Sequence, residues 1–118
     1  MDIQDLLSFQ SDLLTLEAGK TLFTDGEIGD TMYVVIEGEF EVFVRGTLVE
    51  TAGVGAVLGE LAMIDGSPRS ATVIAKSDSK LIAIDLLRFL AVGRERPDFA
   101  LYIMRSMAER LRRLGKLL

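Results

Sequence analysis

From Ser11 to Asp85 the apolar residues come in short runs, each cut off by a turn signal before it could complete an ordinary helix. The stretch Thr31 to Glu37 is rich in β-formers (Met32, Tyr33, Val34, Val35 and Ile36) and stops at Gly38. Phe40, Val42 and Val44 then alternate with Glu39, Glu41 and Arg45, the period of a half-buried strand. Gly46 turns into Leu48 to Ala52, and Gly53 and Gly55 punctuate the approach to Gly59. Two further strands are expected at Ala71 to Ala75 and Lys80 to Asp85. One or two more are expected between Ser11 and Thr24, ahead of the turn cluster Asp25 to Asp30. Short strands at this spacing predict a mainly β protein, a jelly-roll-like barrel (double-stranded β-helix) over residues 11–85.

After Asp85 the period changes to that of helices. Leu86 to Gly93 reads as a short helix, Gly93 and Pro97 mark a break, and Asp98 to Leu118 reads as a longer helix. The expected order is thus a barrel over 11–85 and helices over 86–118, in a single domain spanning 1–118. Such a length can bury a core without metals or disulfides. Met104, Met107, Leu111, Leu114 and Leu118 fall at alternating spacings of three and four, an apolar seam for packing on the barrel or on a second copy. Arg105, Arg112, Arg113 and Lys116 are expected on the outward face.

Charge is divided along the chain. Up to Leu87 there are 5 basic and 15 acidic residues, and from Arg88 on there are 8 basic and 3 acidic. The basic tail is either a solvated helix face or a surface that docks on acid. An acidic domain beside so short a basic segment disfavours nucleic acid. The chain has no Cys and no His. This composition rules out zinc sites of the usual Cys/His kind, thiolate-held iron–sulfur clusters, His- or Cys-ligated haem, Cys nucleophiles and His-based triads. No apolar run approaches membrane-spanning length, and the expected location is cytoplasmic.

The segment from Gly59 to Thr72 concentrates groups suited to a phosphate and a sugar. Gly59 has no Cβ to keep a ligand from the backbone. A helical turn from Glu60 to Ile64 would direct free N–H groups at an anion. Asp65-Gly66 turns the chain and Pro68 stiffens its return. Arg69 adds a planar, permanent cation, and Ser70 a hydroxyl and an N–H. Glu60 offers two acceptor oxygens, which suit a sugar hydroxyl.

This segment resembles the phosphate-binding cassette of cyclic nucleotide-binding domains, the family of kinase regulatory subunits, cyclic nucleotide-gated channels and bacterial catabolite activators. Gly59-Glu60-Leu61-Ala62 and Pro68-Arg69-Ser70-Ala71-Thr72 match its pattern without a gap, while Leu58 stands where many members carry an aromatic residue. The glycine spacing and the two helices after the barrel are similar too. The resemblance implies a hinge helix, a lid helix and a regulatory domain that binds cyclic AMP or cyclic GMP without catalysis. It implies that Glu60 takes the ribose 2′-hydroxyl and that Arg69 pairs with the cyclic phosphate. Gly59, Leu61, Ala62, Ser70 and Ala71 complete the cassette, with Leu61 and Ala62 acting through their N–H groups. Val57, Leu58, Val73 and Arg110 are candidate base contacts, Arg110 by stacking a guanidinium on the base. Ser70 admits either purine, with cyclic AMP preferred. No metal and no cofactor beyond the nucleotide are expected, and the partner is a second copy through the C-terminal helix or a fused or separate effector domain. The alternative is an interaction domain that keeps the fold without the ligand. The fold is expected to tolerate loss of Arg69.

Overall fold

A computed structural model describes residues 13–115. The elements run β1 (Leu14–Leu16), β2 (Thr21–Phe23), β3 (Thr31–Glu37), β4 (Phe40–Val44), β5 (Thr47–Ala52), β6 (Val57–Leu58), α1 (Glu60–Asp65), β7 (Thr72–Ala75), β8 (Ser79–Asp85), α2 (Leu86–Glu95) and α3 (Pro97–Gly115). The strands form two four-stranded sheets, ordered β1-β8-β3-β6 and β2-β7-β4-β5. Every pairing is antiparallel. The architecture is jelly-roll-like with C-terminal helices.

The run from Met32 to Ile36 is apolar throughout because β3 is covered on both faces. Met32 and Val34 join Val57, Ile82, Ile84, Met63 of α1, Val92 of α2, and Phe99 and Ile103 of α3 in one buried cluster. Val35 points the other way, into a cluster between the sheets with Phe23, Phe40, Val42, Leu58, Val73 and Leu81. Burying both faces takes most of this strand's apolar area out of water, at about 25 cal/mol per Å². The first sheet is therefore a shared wall, with the barrel interior on one side and the helices on the other.

The expectations need correction or completion at several points. Val44 is exposed, unlike Phe40 and Val42: it ends β4, beyond the pairing with β7, which stops at Phe43. Strand β6 is too short to show a period, so its sequence signals only burial. Gly93 does not break a helix: α2 runs through it to Glu95, and the chain turns at Arg96. Helix α2 is started by Asp85, whose carboxylate accepts the Arg88 N–H at 2.8 Å. Helix α3 opens on Pro97, whose missing donor costs nothing there, with Asp98 in the first turn.

The expected seam of α3 divides. Its packed face is Phe99 and Ile103, flanked by Tyr102 and Met107. Met104 and Leu111 face solvent at 57% and 68% exposure. Leu118 lies outside the described residues.

Candidate ligand-binding site

Helix α1 starts abruptly out of β6. Gly59 takes a left-handed conformation at its N-cap (φ 78°), and no side chain caps the first turn. Gly66 closes the helix with φ 70°, its N–H donating to the Ala62 carbonyl at 3.0 Å. The following turn is held by Asp65, which accepts from the Ser67 N–H at 2.9 Å and its hydroxyl at 2.6 Å. The Ser67 hydroxyl, and then its N–H, hold the Asp65 carboxyl below the usual carboxylate range. Leu61 turns its side chain outward.

The chain then returns along the turn between β2 and β3. The Arg69 N–H donates to the Glu27 carbonyl and the Gly26 N–H to the Arg69 carbonyl, both at 2.8 Å. These bonds drive the Arg69 side chain inward, where it is 5% exposed. Its Nη1 donates to the carbonyls of Thr31 at 2.7 Å and Gly59 at 3.3 Å. Its guanidinium lies 4.3 Å from the centre of the Phe23 ring, with Tyr33 at 5.9 Å. Glycine on both sides leaves the guanidinium its place. A Cβ at Gly29 would come within 2.5 Å of Arg69 Nη2, and one at Gly59 within 2.5 Å of Nη1. Arg69 is thus held firmly, by main chain and a ring.

Glu60, at the first position of α1, is 3% exposed. Its Oε1 accepts from Arg110 Nη1 of α3 at 2.5 Å. Arg110 Nη2 donates to the Val57 carbonyl at 2.8 Å and lies 3.5 Å from Glu50 of β5. Arg113 also reaches Glu50, at 2.8 Å, so this residue of the expected outward face is tied back to the barrel. Tyr102 donates its hydroxyl to the Gly55 carbonyl. Burial, aided by Glu109, pushes the Tyr102 hydroxyl above its ordinary range and keeps it a donor at neutral pH. Helix α3 is therefore bonded to β5, to β6 and its approach, and to the cassette. A groove of about 400 Å³ opens between them, lined in part by Glu50, Ser106, Glu109 and Arg113.

Among the described residues, Glu60 and Arg69 are the only buried charges. No carboxylate there pairs with Arg69. A buried cation opposed only by carbonyl dipoles and a ring carries a desolvation cost that an incoming anion offsets. The sequence profile of the cyclic nucleotide-binding domain matches residues 13–96. The chain belongs to that family.

Cyclic nucleotide-binding folds among solved structures agree. The catabolite activator protein of Thermus thermophilus superposes with a TM-score of 0.83 at 28% identity, over 96% of this chain and 55% of that one. The N-terminal domain of a transcriptional regulator from Streptomyces coelicolor A3(2) gives 0.70 at 31% identity, over 97% of this chain and 84% of that one. A protein from a cyclic-GMP-dependent signalling pathway that regulates bacterial phytopathogenesis gives 0.80 at 27% identity, covering 95% of each chain. The chain spans just over half the length of the Thermus activator.

Within this domain the cassette residues come together as one unit. Ser70 is exposed and Ala71 buried. The candidate base contacts separate. Leu58 and Val73 line the cluster between the sheets with Phe23, while Val57 sends its side chain to the helix-facing cluster and only its carbonyl to the site. Arg110 is held in a row of acceptors at the inner face of α3. Glu50, Gly29 and the Phe23 ring join the site without having stood out as site residues in the sequence. A glycine in the β2–β3 turn is the one available signal, and by itself it indicates a turn alone.

Among the described residues no helix is long and apolar enough to cross a membrane, and no cluster of His, Cys, Asp and Glu has the form of a metal site.

Proposed function

We propose that this domain is a non-catalytic sensor of a cyclic purine nucleotide, cyclic AMP in preference to cyclic GMP. One observation carries the reading: its only buried charges among the described residues are Glu60 and Arg69, the two that the family pattern assigns to ribose and phosphate. Arg69 supplies the cation for the phosphodiester, with the N–H groups of Leu61, Ala62 and Ser70 around it. Glu60 accepts from the ribose 2′-hydroxyl. Leu58 and Val73 supply apolar surface for the base. Ser70 adds a hydroxyl beside the phosphate and admits either purine.

Ligand binding acts through differential affinity for two arrangements of the helices. Helix α3 is the element to respond, since Arg110 bonds it to the same carboxylate the ribose would engage. Leu101, Met104 and Leu111 lie exposed along that helix, and we assign them to a second copy of the chain or an effector.

Thermal-shift measurements with cyclic AMP, cyclic GMP and 5′-AMP test the reading. Stabilisation by a cyclic nucleotide, without turnover and with a weaker response to 5′-AMP, is the expected result. Equal shifts for all three would reduce the site to a general phosphate binder. No shift with any of them would favour an interaction domain that keeps the fold alone.

A further inference from the structure

The cassette's carboxylate does not meet α3 through a single ion pair. Four charges alternate in a row: Arg113, Glu50, Arg110 and Glu60. Arg113 reaches Glu50 at 2.8 Å, Glu50 lies 3.5 Å from Arg110, and Arg110 reaches Glu60 at 2.5 Å. Glu50 sits on β5, an edge strand whose neighbours Leu48 and Val49 are exposed, yet its own side chain is only 15% exposed. Arg110 has Nη1 on one carboxylate and Nη2 facing the other, while its Nε is buried with no partner. Nothing on the Nε edge fixes the plane of the guanidinium. Its orientation is set by what lies at its two Nη atoms.

We propose that Glu50 is a positioning residue. It holds Arg110 in register on Glu60, and through Arg110 and Arg113 it holds the C-terminal half of α3 against the cassette. Its effect on ligand choice rests on the cyclic nucleotide reading above. Without the Glu50 charge, Arg110 Nη2 keeps only the Val57 carbonyl, and Arg113 loses its carboxylate. Glu60 then faces a cation that can swing, and the carboxylate that would select a 2′-hydroxyl is no longer fixed. Tyr102 still holds the N-terminal half of α3 through the Gly55 carbonyl. The consequences are therefore local: the latter half of α3 loosens while its start and the barrel do not.

The test compares the parent chain with Glu50→Gln, Arg113→Gln and Arg112→Gln. Arg112 is the control, an exposed cation one position from Arg113 on the same helix. Amide exchange is read first without nucleotide. Glu50→Gln should speed exchange about tenfold across residues 106–113, within the range of measured couplings between linked sites, and leave 99–103 and β3 unchanged. Arg113→Gln should do the same more weakly, and Arg112→Gln not at all. Affinities are then measured for cyclic AMP and its 2′-deoxy analogue, or for the cyclic GMP pair if the parent prefers it. Glu50→Gln should shrink the preference for the 2′-hydroxyl by about fivefold, a change within the same range of couplings. A role in packing alone would weaken both ligands equally.

Unchanged exchange in 106–113 overturns the proposal, as does equal acceleration by Arg112→Gln, which would mean that the effect does not depend on the row through Glu50. An unchanged 2′-hydroxyl preference overturns its ligand part. If the parent binds neither nucleotide pair, the functional reading fails and the exchange measurement alone decides the role of Glu50. If Glu50→Gln does not fold, Arg113→Gln decides it, because Arg113 is 59% exposed and its loss cannot unseat the barrel.

Discussion

Two buried charges of opposite sign sit in one short segment, and the molecule satisfies them in different ways. Arg69 is held by its surroundings in the barrel: the carbonyls of Thr31 and Gly59, the Phe23 ring, and main-chain bonds to the β2–β3 turn. Glu60 is held by a side chain from the far end of the chain, Arg110 of α3. The carbonyls of β3 and of the β6–α1 junction are fixed by the barrel's main chain, whereas α3 is reached through a one-residue turn at Arg96. On the proposed reading, the phosphate end of the site is therefore preorganised, and the ribose end is coupled to the helix proposed to move. A sensor needs this division, because a ligand gripped only by fixed groups has no differential affinity with which to move anything.

The comparison is broken most severely by Arg69→Ala. Truncating one partner of a buried charge interaction costs ~2–5 kcal/mol, roughly 30-fold to a few thousand-fold in affinity. Calorimetry should show that loss for the nucleotide the parent binds. Denaturant unfolding should also show a stability loss of about 1–3 kcal/mol, since two carbonyls lose their donor. An affinity within threefold of the parent would remove Arg69 from the phosphate role.

Arg110→Ala comes next, and it should act on the helix before it acts on the ligand. It leaves the Glu60 carboxylate buried without its cation. That costs ~3–5 kcal/mol for a fully buried pair, discounted here to about 1–3 kcal/mol because Arg110 is 29% exposed. The melting temperature should fall while the circular-dichroism signature of the sheets persists. A variant as stable as the parent would show that α3 is not anchored through Glu60. Ser70→Ala is the mildest. The Ser70 side chain is exposed, so the change in affinity should be a few-fold, and paired titrations should show little change in the ratio of cyclic AMP to cyclic GMP affinities. A selective loss of cyclic GMP binding would reverse the assigned preference.

Legibility in the sequence divides in the same way. Strand β3 shows its bounds, Thr31 to Glu37, because an unbroken β-forming run ends at a glycine. Glu60 and Arg69 are legible because the cassette is contiguous, so its chemistry is local. Gly93 misleads because a glycine inside a helix costs only about 1 kcal/mol against alanine, which α2 absorbs while burying Val92. The α3 seam misleads for another reason. Met107 belongs both to the expected stripe and to the true face of Phe99 and Ile103, so a short pattern cannot tell them apart. Glu50 is not legible at all. One glutamate in a strand carries no signal until folding brings Arg110 and Arg113 of α3 to it from a distant part of the chain.

The central claim is that ligand and helix meet at Glu60. Amide exchange with and without a saturating cyclic nucleotide addresses it directly. The account predicts slower exchange in the cassette, residues 59–72, and in residues 98–111 of α3, with β4 unchanged. Protection confined to the cassette, with exchange in α3 identical in both conditions, would contradict it and leave the domain a binder whose C-terminal helix takes no part in sensing.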